Sequence, residues 1–337
     1  MSTHRNAGSL LRRGRMTGLR AAAAATVVAL VAACGSTSDA TTGTDGETNT
    51  VRVVTNFGTI YYGLLLGLDL LAEERPDLKI EHVQLSAGGD SLTALASGQA
   101  DVVSVGVSPV LIAREKGVPV RFGGSLVTAH VALVAMDGKY RSLADFQPGD
   151  QIATPGPYAV GSIALLGAAM RELGDWKKVQ GMFRMMPHPD AVAALTQGEV
   201  QAHMATPPFL QQGLAKGARE VIGGNELLGA PVPLGAFAFN ESFHKANPKV
   251  YAALVDAIKR GTAMINDDPQ AAAARIAGLD AVKTTKDKVL VELTEQGIKF
   301  NTEFAGYTQT ADTMLQMGLI KKKPALSDVS LPNVTGS

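Results

Sequence analysis

Apolar and polar positions along the chain alternate between two periods, one typical of strands and one typical of helices. The β-branched run VRVVT, residues 51–55, predicts a strand, and residues 56–59 predict a turn after it. Residues 60–74 predict a helix whose apolar face carries Tyr61, Leu64, Leu65, Leu68 and Leu71. A second strand follows near residues 80–85. This order of elements predicts an α/β protein with largely parallel sheets.

Small polar residues and glycine delimit the elements that come next. Asp90 or Ser91 is expected to cap a short helix, which Gly98 ends in the left-handed conformation. Residues 102–105 predict a buried strand. Ser108, with the proline after it, predicts the start of a further helix.

The same pattern of capping and helix-ending residues recurs a hundred residues further along the chain. The matching residues are Asp90, Ala94, Leu95, Gly98, Lys116, Gly117, Gly123 and Gly124, with Asp190, Ala194, Leu195, Gly198, Lys216, Gly217, Gly223 and Gly224. Helix-stopping glycines and a capping residue recur where each unit needs them, which favours two similar lobes. The alternative is that any two βα units of this length share such punctuation.

Two long apolar runs are suited to connect these lobes. Residues 125–138, SLVTAHVALVAMDG, predict a crossing from one lobe to the other, and residues 233–240, PLGAFAFN, predict the return. The helices predicted after the return cover residues 242–267, 269–276, 286–300 and 308–317. Lobe 1 is therefore expected to comprise 51–127 and 241–326, lobe 2 to comprise 128–240, and 327–337 to form a tail. Such a clamp binds its ligand in the cleft between the lobes.

The amino-terminal segment predicts export and anchoring. Arginines precede an apolar run of about 13 residues at 21–33, a length that suits a signal peptide and is too short to span a bilayer. The run ends in VAAC, which resembles the lipobox of bacterial lipoprotein signal peptides. The resemblance implies that residues 1–33 are removed and that Cys34 is lipidated; an ordinary secretory signal with a chance cysteine is the alternative. Residues 34–50 lack bulky apolar side chains and predict a flexible tether.

Cysteine usage and charge exclude several kinds of protein. Cys34 is the only cysteine, so an internal disulfide or a multi-cysteine metal site is excluded. The whole chain has 31 basic and 31 acidic residues. Loss of residues 1–33 would remove five arginines and no acids, leaving a net charge of about −5. A nucleic-acid partner is disfavoured because no basic stripe remains to neutralise phosphates.

Four segments resemble the solute-binding proteins of ABC importers, in the group that serves taurine, aliphatic sulfonates, nitrate and thiamine-precursor pyrimidines. They are ALASGQADVVSVGVSPVLIAREKG, SLADFQPGDQIATPGPYAVGSIALLGAAMRELG, PDAVAALTQGEVQAHMATPPFLQQGLAKG and MLQMGLIKKKPAL. One departure is the sequence Leu326, Ser327, Asp328, where many relatives place a tryptophan.

The resemblance implies a two-lobed periplasmic-binding-protein-like fold of type II, with lobes joined by two crossing strands. It also implies a lipid-anchored monomer on the extracytoplasmic side of the cell membrane. Such a protein captures a small solute for a permease and an ATPase, without a cofactor, a metal or catalysis of its own.

In open α/β sheets, ligands bind where loops lead from strand ends into helices. Applied to both lobes and to the crossing strand, this rule nominates Asn56, Phe57, Thr59, Tyr61, Tyr62, Gly88, Gly89, Asp90, Ser91, Ser108, Thr128, His130, Pro157, Tyr158, Ser162, His188, Thr206 and Phe209.

The chemistry of these loops narrows the ligand. None contains lysine or arginine, which disfavours nitrate or bicarbonate, whereas backbone N–H groups and hydroxyls at helix starts can hold a sulfonate. A neutral pyrimidine that stacks on Tyr61, Tyr62 or Tyr158 stays an alternative. Asp90 would favour an amine if it points into the cleft, although its simpler role is to cap a helix.

Several candidates have equally good structural roles. Tyr61 and Tyr62 are adjacent, so one is expected to face the core and the other the cleft. His130 on an apolar strand suits a hydrogen-bonded structural histidine. His188 and His203 have no carboxylate or thiol partner at metal-binding spacing, so a zinc site is not predicted.

Two other classes of protein compete with the importer interpretation. An enzyme of pyrimidine metabolism is one, but GVSPV around Ser108 lacks the second glycine of a nucleophile elbow. The chain also lacks a Walker A sequence and the cysteine-rich element of the eukaryotic relatives that make a pyrimidine. A ligand-binding subunit of a membrane sensor is the other, and it would share the same cleft.

Overall fold

The structure is a computed structural model, and it describes residues 46–56, 58–85, 88–332 and 334. The predicted signal peptide, Cys34 and most of the predicted tether lie outside these ranges, as does Phe57.

Eleven strands are present in the described part of the chain. They are β1 (Thr50–Asn56), β2 (Lys79–Leu85), β3 (Val102–Val105), β4 (Val120–Ala129), β5 (Ala132–Ala135), β6 (Ile152–Thr154), β7 (Phe183–Met185), β8 (Ala202–Ala205), β9 (Arg219–Gly223), β10 (Val232–Asn240) and β11 (Ile298–Phe300).

The α-helices of the same residues are α1 (Tyr62–Glu74), α2 (Gly88–Ala96), α3 (Val107–Glu115), α4 (Val160–Leu173), α5 (Trp176–Gln180), α6 (His188–Thr196), α7 (Phe209–Ala215), α8 (Asn225–Leu228), α9 (Glu241–Ala246), α10 (Pro248–Asp267), α11 (Pro269–Ala277), α12 (Lys286–Thr294), α13 (Tyr307–Gln316) and α14 (Leu326–Val329). Short 3₁₀ helices cover Thr59–Tyr61 and Leu143–Asp145.

The strands form two sheets of the same design. Sheet A has the order β11-β4-β10-β3-β1-β2, and sheet B has the order β7-β6-β8-β5-β9. In sheet A, β1 runs parallel to β2 and β3, while β10 and β4 are antiparallel to their neighbours. In sheet B, β6 runs parallel to β7 and β8, while β5 is antiparallel to β8 and β9. The predicted α/β class is confirmed, but the expectation of largely parallel sheets is wrong. Among the described strands five of the nine pairings are antiparallel, because β4, β5 and β10 run against their neighbours and β11 pairs antiparallel with β4.

The internal repeat predicted from the sequence is present as secondary structure. Helix α6 begins and ends a hundred positions after α2, and β8 does the same relative to β3. Gly98 has a φ of 74° and Gly198 a φ of 76°, so both glycines end their helices in the left-handed conformation. The shared glycines therefore mark equivalent turns in the two repeats.

The predicted crossing is a pair of strands in different sheets. Strand β4 belongs to sheet A, and β5, after two intervening residues, belongs to sheet B. Strand β10 returns the chain to sheet A between β3 and β4. The predicted lobe boundary between residues 127 and 128 falls inside β4, and the assignment of residues to lobes stays a prediction.

Two of the predicted helices have the wrong bounds. The helix predicted over 286–300 ends at Thr294, and residues 298–300 form strand β11 instead. Gly297, just before the strand, has a φ of 64°, which is not helical. Ile298 and Phe300 are buried while Lys299 is exposed, as expected of a strand. The helix predicted over 242–267 is interrupted at Asn247, before the proline that starts α10.

The expected helix caps and the start of the body also differ. Helix α2 begins at Gly88, which puts Asp90 and Ser91 inside its first turn, and α3 begins at Val107 with Gly106 as its N-cap. The ordered body begins before Val51, since the Glu47 carboxylate accepts hydrogen bonds from two backbone N–H groups at the start of α10.

Helices α1 and α10 lie against each other at their glycines. A Cβ placed on Gly67 would be 2.6 Å from Cα of Ile258, and one on Gly261 would be 2.6 Å from the backbone nitrogen of Gly67. Only glycine allows two backbones to approach this closely.

No helix within the described ranges has both the length and the apolar character needed to cross a membrane.

Candidate functional site

The carboxyl ends of the parallel strands in sheet A lie at one edge. Asn56 is paired with Leu85 at the ends of β1 and β2. Its backbone N–H donates to Ser104 Oγ at 3.1 Å, and its side-chain Nδ2 donates to the Leu85 carbonyl at 3.0 Å. Asn56 is buried, so its amide holds the strand ends together.

The equivalent edge of sheet B is held by hydroxyl groups. Thr154 ends β6, and its hydroxyl bonds to that of Ser162 in the first turn of α4. The Ser162 hydroxyl also lies 2.7 Å from the Gly156 carbonyl, to which it can donate. Both side chains are fully buried. Ser162 therefore fixes the loop of residues 155–159, and its hydroxyl is engaged within the protein.

The two edges meet directly. Ser108, in the first turn of α3, donates through Oγ to the backbone carbonyl of Tyr158 at 2.9 Å. A Cβ on Gly106 would lie 2.6 Å from Cγ2 of Val160, so the two loops are in contact beside that bond. The Tyr158 side chain is 40% exposed, and Pro157 before it is half-buried. Predicted site residues of both sheets are thus brought together.

A carboxylate that the sequence did not indicate engages two further candidates. Glu292 Oε2 accepts from the Tyr62 hydroxyl at 2.7 Å and from Thr59 Oγ1 at 3.2 Å. Burial, with the adjacent Glu292, raises the pKa of Tyr62, and burial raises the pKa of Tyr61. Tyr62 is buried in the core and Tyr61 is half-buried. Glu292 lies on a helix distant in sequence, and no motif around it marks this contact.

A cluster with two histidines occupies the end of β8. His188 Nδ1 lies 2.8 Å from Nε2 of His203, and His188 Nε2 lies 3.2 Å from Thr206 Oγ1. The His188 ring stacks on Phe209, with centroids 5.3 Å apart and an interplanar angle of 16°. His188 and Phe209 are half-buried, whereas His203 is fully buried.

Burial keeps both of these imidazoles neutral. It lowers the pKa of His188 to about 4. The pKa of His203 falls to about 3, first because of burial and then because of the neighbouring His188. The pair therefore carries no charge at neutral pH.

The two candidates at the crossing have structural partners. Thr128 is buried, and its Oγ1 is 3.4 Å from Asn301 Nδ2. His130 is exposed, and its Nε2 lies 3.0 Å from the Glu220 carboxylate. His130 thus fits the structural role considered for it from the sequence.

The remaining candidates lie at the start of α2. Gly88 and Gly89 are its first two residues, Asp90 is exposed, and Ser91 is fully buried. Ser91 Oγ has no hydrogen-bond partner among the described residues. These four residues stay predicted ligand contacts.

A cavity of about 200 Å³ lies elsewhere, between the carboxyl-terminal half of α3 and the carboxyl-terminal segment. Its lining residues are Leu111, Arg114, Glu115, Ile320, Lys322, Pro324, Asp328 and Val329. The loops that meet at Ser108 lie at the opposite end of α3, so this cavity is separate from the candidate site.

Among the described residues, no group of three or more His, Cys, Asp or Glu side chains is placed to hold a metal ion.

Two α/β sheets of the same design, connected by crossing strands and meeting at their strand-end loops, make the periplasmic-binding-protein fold. Solved structures of that class superpose on most of the chain. The alkanesulfonate-binding protein SsuA from Xanthomonas axonopodis pv. citri, bound to MOPS, gives a TM-score of 0.66 at 20% identity, covering 85% of this chain and 99% of its own. The periplasmic aliphatic sulphonate binding protein SsuA from Escherichia coli gives 0.64 at 23% identity, covering 85% and 98%.

The chain belongs to the NMT1/THI5-like family, whose sequence model matches residues 74–272. An aliphatic sulfonates-binding protein of Escherichia coli (strain K12) is 29% identical over 178 residues, which cover 51% of this chain. The match spans 54% of that relative's length, about half. The resemblance to solute-binding proteins of this group is confirmed.

Proposed function

We propose that the protein is the extracytoplasmic solute-binding component of an ABC importer, and that it takes a small organic sulfonate between its two sheets. The single observation that carries this proposal is the bond between Ser108 and the Tyr158 carbonyl, which joins the strand-end loops of the two sheets. A ligand held at that junction would contact both halves, as capture by closure requires.

The chemistry of the junction supports an oxyanion with an organic tail. The nominated loops contain no lysine or arginine, so a small inorganic anion would find no formal positive charge there. Backbone N–H groups at the starts of α2, α3 and α4 can hold a sulfonate without one. The exposed ring of Tyr158 and the half-buried ring of Phe209 supply apolar surface for the tail. The sulfonate-binding relatives agree with this class of ligand.

The ligand class is tested by thermal denaturation of the purified protein with matched pairs of solutes. Ethanesulfonate is compared with ethanol, and taurine with ethanolamine, so that each pair differs in the sulfonate group. We expect the sulfonates to raise Tm and the matched compounds to leave it unchanged, because a ligand of the native state stabilises it by RT ln(1 + [L]/Kd).

Nitrate and a hydroxymethylpyrimidine complete the panel. Stabilisation by either of these and not by a sulfonate would make the ligand class wrong. No stabilisation by any member would contradict solute binding.

We also propose that Cys34 carries the lipid anchor that keeps the protein beside its permease, where tethering raises the local concentration of the receptor. Cys34→Ser is expected to move the protein from the membrane fraction to the soluble extracytoplasmic fraction. The matched control is Ser36→Ala, which leaves the cysteine in place. Continued sedimentation of Cys34→Ser with membranes, at the level of the control, would contradict lipid anchoring.

Delivery to a permease and ATPase is the remaining part of the proposal. Cells that lack this protein are expected to take up radiolabelled sulfonate more slowly. Unchanged uptake, together with binding by the purified protein, would favour a sensor subunit.

A further inference from the structure

A series of hydrogen-bonded side chains leads from the interior of the protein to the end of β8. It starts at His203, passes through His188, and ends at the hydroxyl of Thr206, the residue that follows β8. Each contact is within hydrogen-bonding distance, at 2.8 Å and 3.2 Å. Thr206 is half-buried, and no further bond of its hydroxyl is present among the described residues.

His203, at the buried end of this hydrogen-bonded series, determines which atom donates and which accepts in each bond. His203 is fully buried, and its Nδ1 has no hydrogen-bond partner in the described part of the protein. A neutral imidazole carries one proton, on either Nδ1 or Nε2. A proton on Nδ1 would be a buried N–H without an acceptor. Such orphaned donors are rarer among backbone groups than under-satisfied acceptors, and we apply the same preference to the ring.

The proton of His203 therefore belongs on Nε2, where it is donated to Nδ1 of His188. His188 then carries its own proton on Nε2 and donates it to Thr206 Oγ1. Because this oxygen already accepts a bond, the Thr206 hydroxyl proton is left to point away from the histidines.

Two features hold this arrangement in place. The stacking of His188 on Phe209 fixes the plane of the middle ring, and ring orientation determines which nitrogen faces Thr206. The low pKa of each imidazole keeps both rings neutral, so each retains one donor and one acceptor nitrogen at neutral pH.

We infer that the buried His203 and His188 pair fixes the Thr206 hydroxyl as a hydrogen-bond donor at the candidate site. At this position the site would offer its hydroxyl proton to a ligand oxygen that accepts, such as a sulfonate oxygen. The inference rests on the proposed function and deepens it, because it supplies a polarised donor where the loops have no formal positive charge.

The direction of the bonds is tested first without any ligand. Long-range ¹H–¹⁵N NMR spectra of the protein at pH 7 identify the protonated nitrogen of each histidine ring, with His188→Gln and His203→Gln variants used to assign the signals. We expect both rings to be protonated on Nε2. Protonation of His203 on Nδ1 would overturn the inference whether or not a sulfonate binds.

The effect on binding is tested with Thr206→Val, which keeps the shape of the side chain and removes its hydroxyl. We expect ethanesulfonate to bind at least about tenfold more weakly, since hydrogen bonds to charged groups are the stronger ones. Thr206→Ser should recover most of the loss. The matched control is Thr196→Val on α6, whose hydroxyl bonds to the Val192 carbonyl of the same helix.

The outcomes separate this inference from the proposed function. If the unaltered protein binds no sulfonate, the proposed function fails, and the NMR result alone decides the tautomers. If the unaltered protein binds ethanesulfonate and Thr206→Val binds it equally well, the proposed function stands and the role of Thr206 is wrong.

Discussion

Gly67→Ala is expected to lower the free energy of unfolding by about 3 kcal/mol, at the upper end of the usual cost of overpacking. The new Cβ would lie 2.6 Å from Cα and 2.8 Å from N of Ile258, and 2.9 Å from the carbonyl carbon of Ala257. All three contacts are backbone atoms of α10, so no side-chain rotation relieves them. Helix α10 must shift as a unit, which disturbs the packing of α1 against sheet A.

Gly213→Ala is the matched control, since it makes the same change within a helix. Its Cβ would meet side-chain atoms at 3.8 Å and 3.9 Å, which are ordinary van der Waals contacts. We expect this variant to be as stable as the unaltered protein or more stable by up to about 1 kcal/mol, the difference in helix propensity between the two residues. Urea denaturation of the three proteins measures both effects. Equal midpoints for Gly67→Ala and the unaltered protein would show that the helices separate without cost.

The sequence predicts this part of the fold only in outline. The apolar spacing of residues 60–74 indicates a helix, and α1 covers most of that range. The spacing does not show that both sides of the helix are covered, because a pattern along one segment contains no information about what packs against it. The glycines at 63 and 67, four apart on one face, were the available sign of a close helix neighbour.

The repeat was the most informative feature of the sequence. Glycine with positive φ is a local requirement of the backbone, so Gly98 and Gly198 could be identified as helix ends without knowledge of the tertiary structure. Residues 298–300 show the limit of such reasoning. Strand β11 forms because it pairs with β4, a partner that is distant in sequence. The local apolar pattern continues that of α12, so it predicted a helix there.

The candidate site could be predicted as a set of loops but not as a set of contacts. The rule that ligands bind beyond strand ends placed Ser108 and Tyr158 near each other, and the structure bonds them. Side-chain partners distant in sequence could not be predicted. Nothing near Tyr62 in sequence indicates that Glu292 accepts a hydrogen bond from its hydroxyl. His203 lies three residues before Thr206, but no sequence pattern shows that His203 bonds to His188.

Those histidines also predict a loss of stability in mild acid. The pKa of His188 is lowered to about 4 and that of His203 to about 3, from an ordinary value of 6.5. From pH 6.5 down to about pH 4 at His188, and down to about pH 3 at His203, the unfolded chain therefore binds protons that the folded protein excludes. Stability that is fully present above pH 6.5 is lost as the pH falls through this range. Allowing for the partial exposure of His188, we expect the pair to account for roughly 3 kcal/mol of the stability lost between pH 7 and pH 5.

The measurement is the free energy of unfolding in urea at pH 7, 6 and 5, for the unaltered protein and for the double variant His188→Gln, His203→Gln. Staying at pH 5 and above leaves out carboxylates such as Glu241, whose lowered pKa contributes only in stronger acid. Burial also lowers the pKa of His82, but this residue is present in both proteins, so their difference isolates the pair. We expect the unaltered protein to lose more stability than the variant on acidification. Parallel losses, or an NMR titration of either ring near pH 6.5, would mean that the imidazoles are solvated and that their bond directions are not fixed.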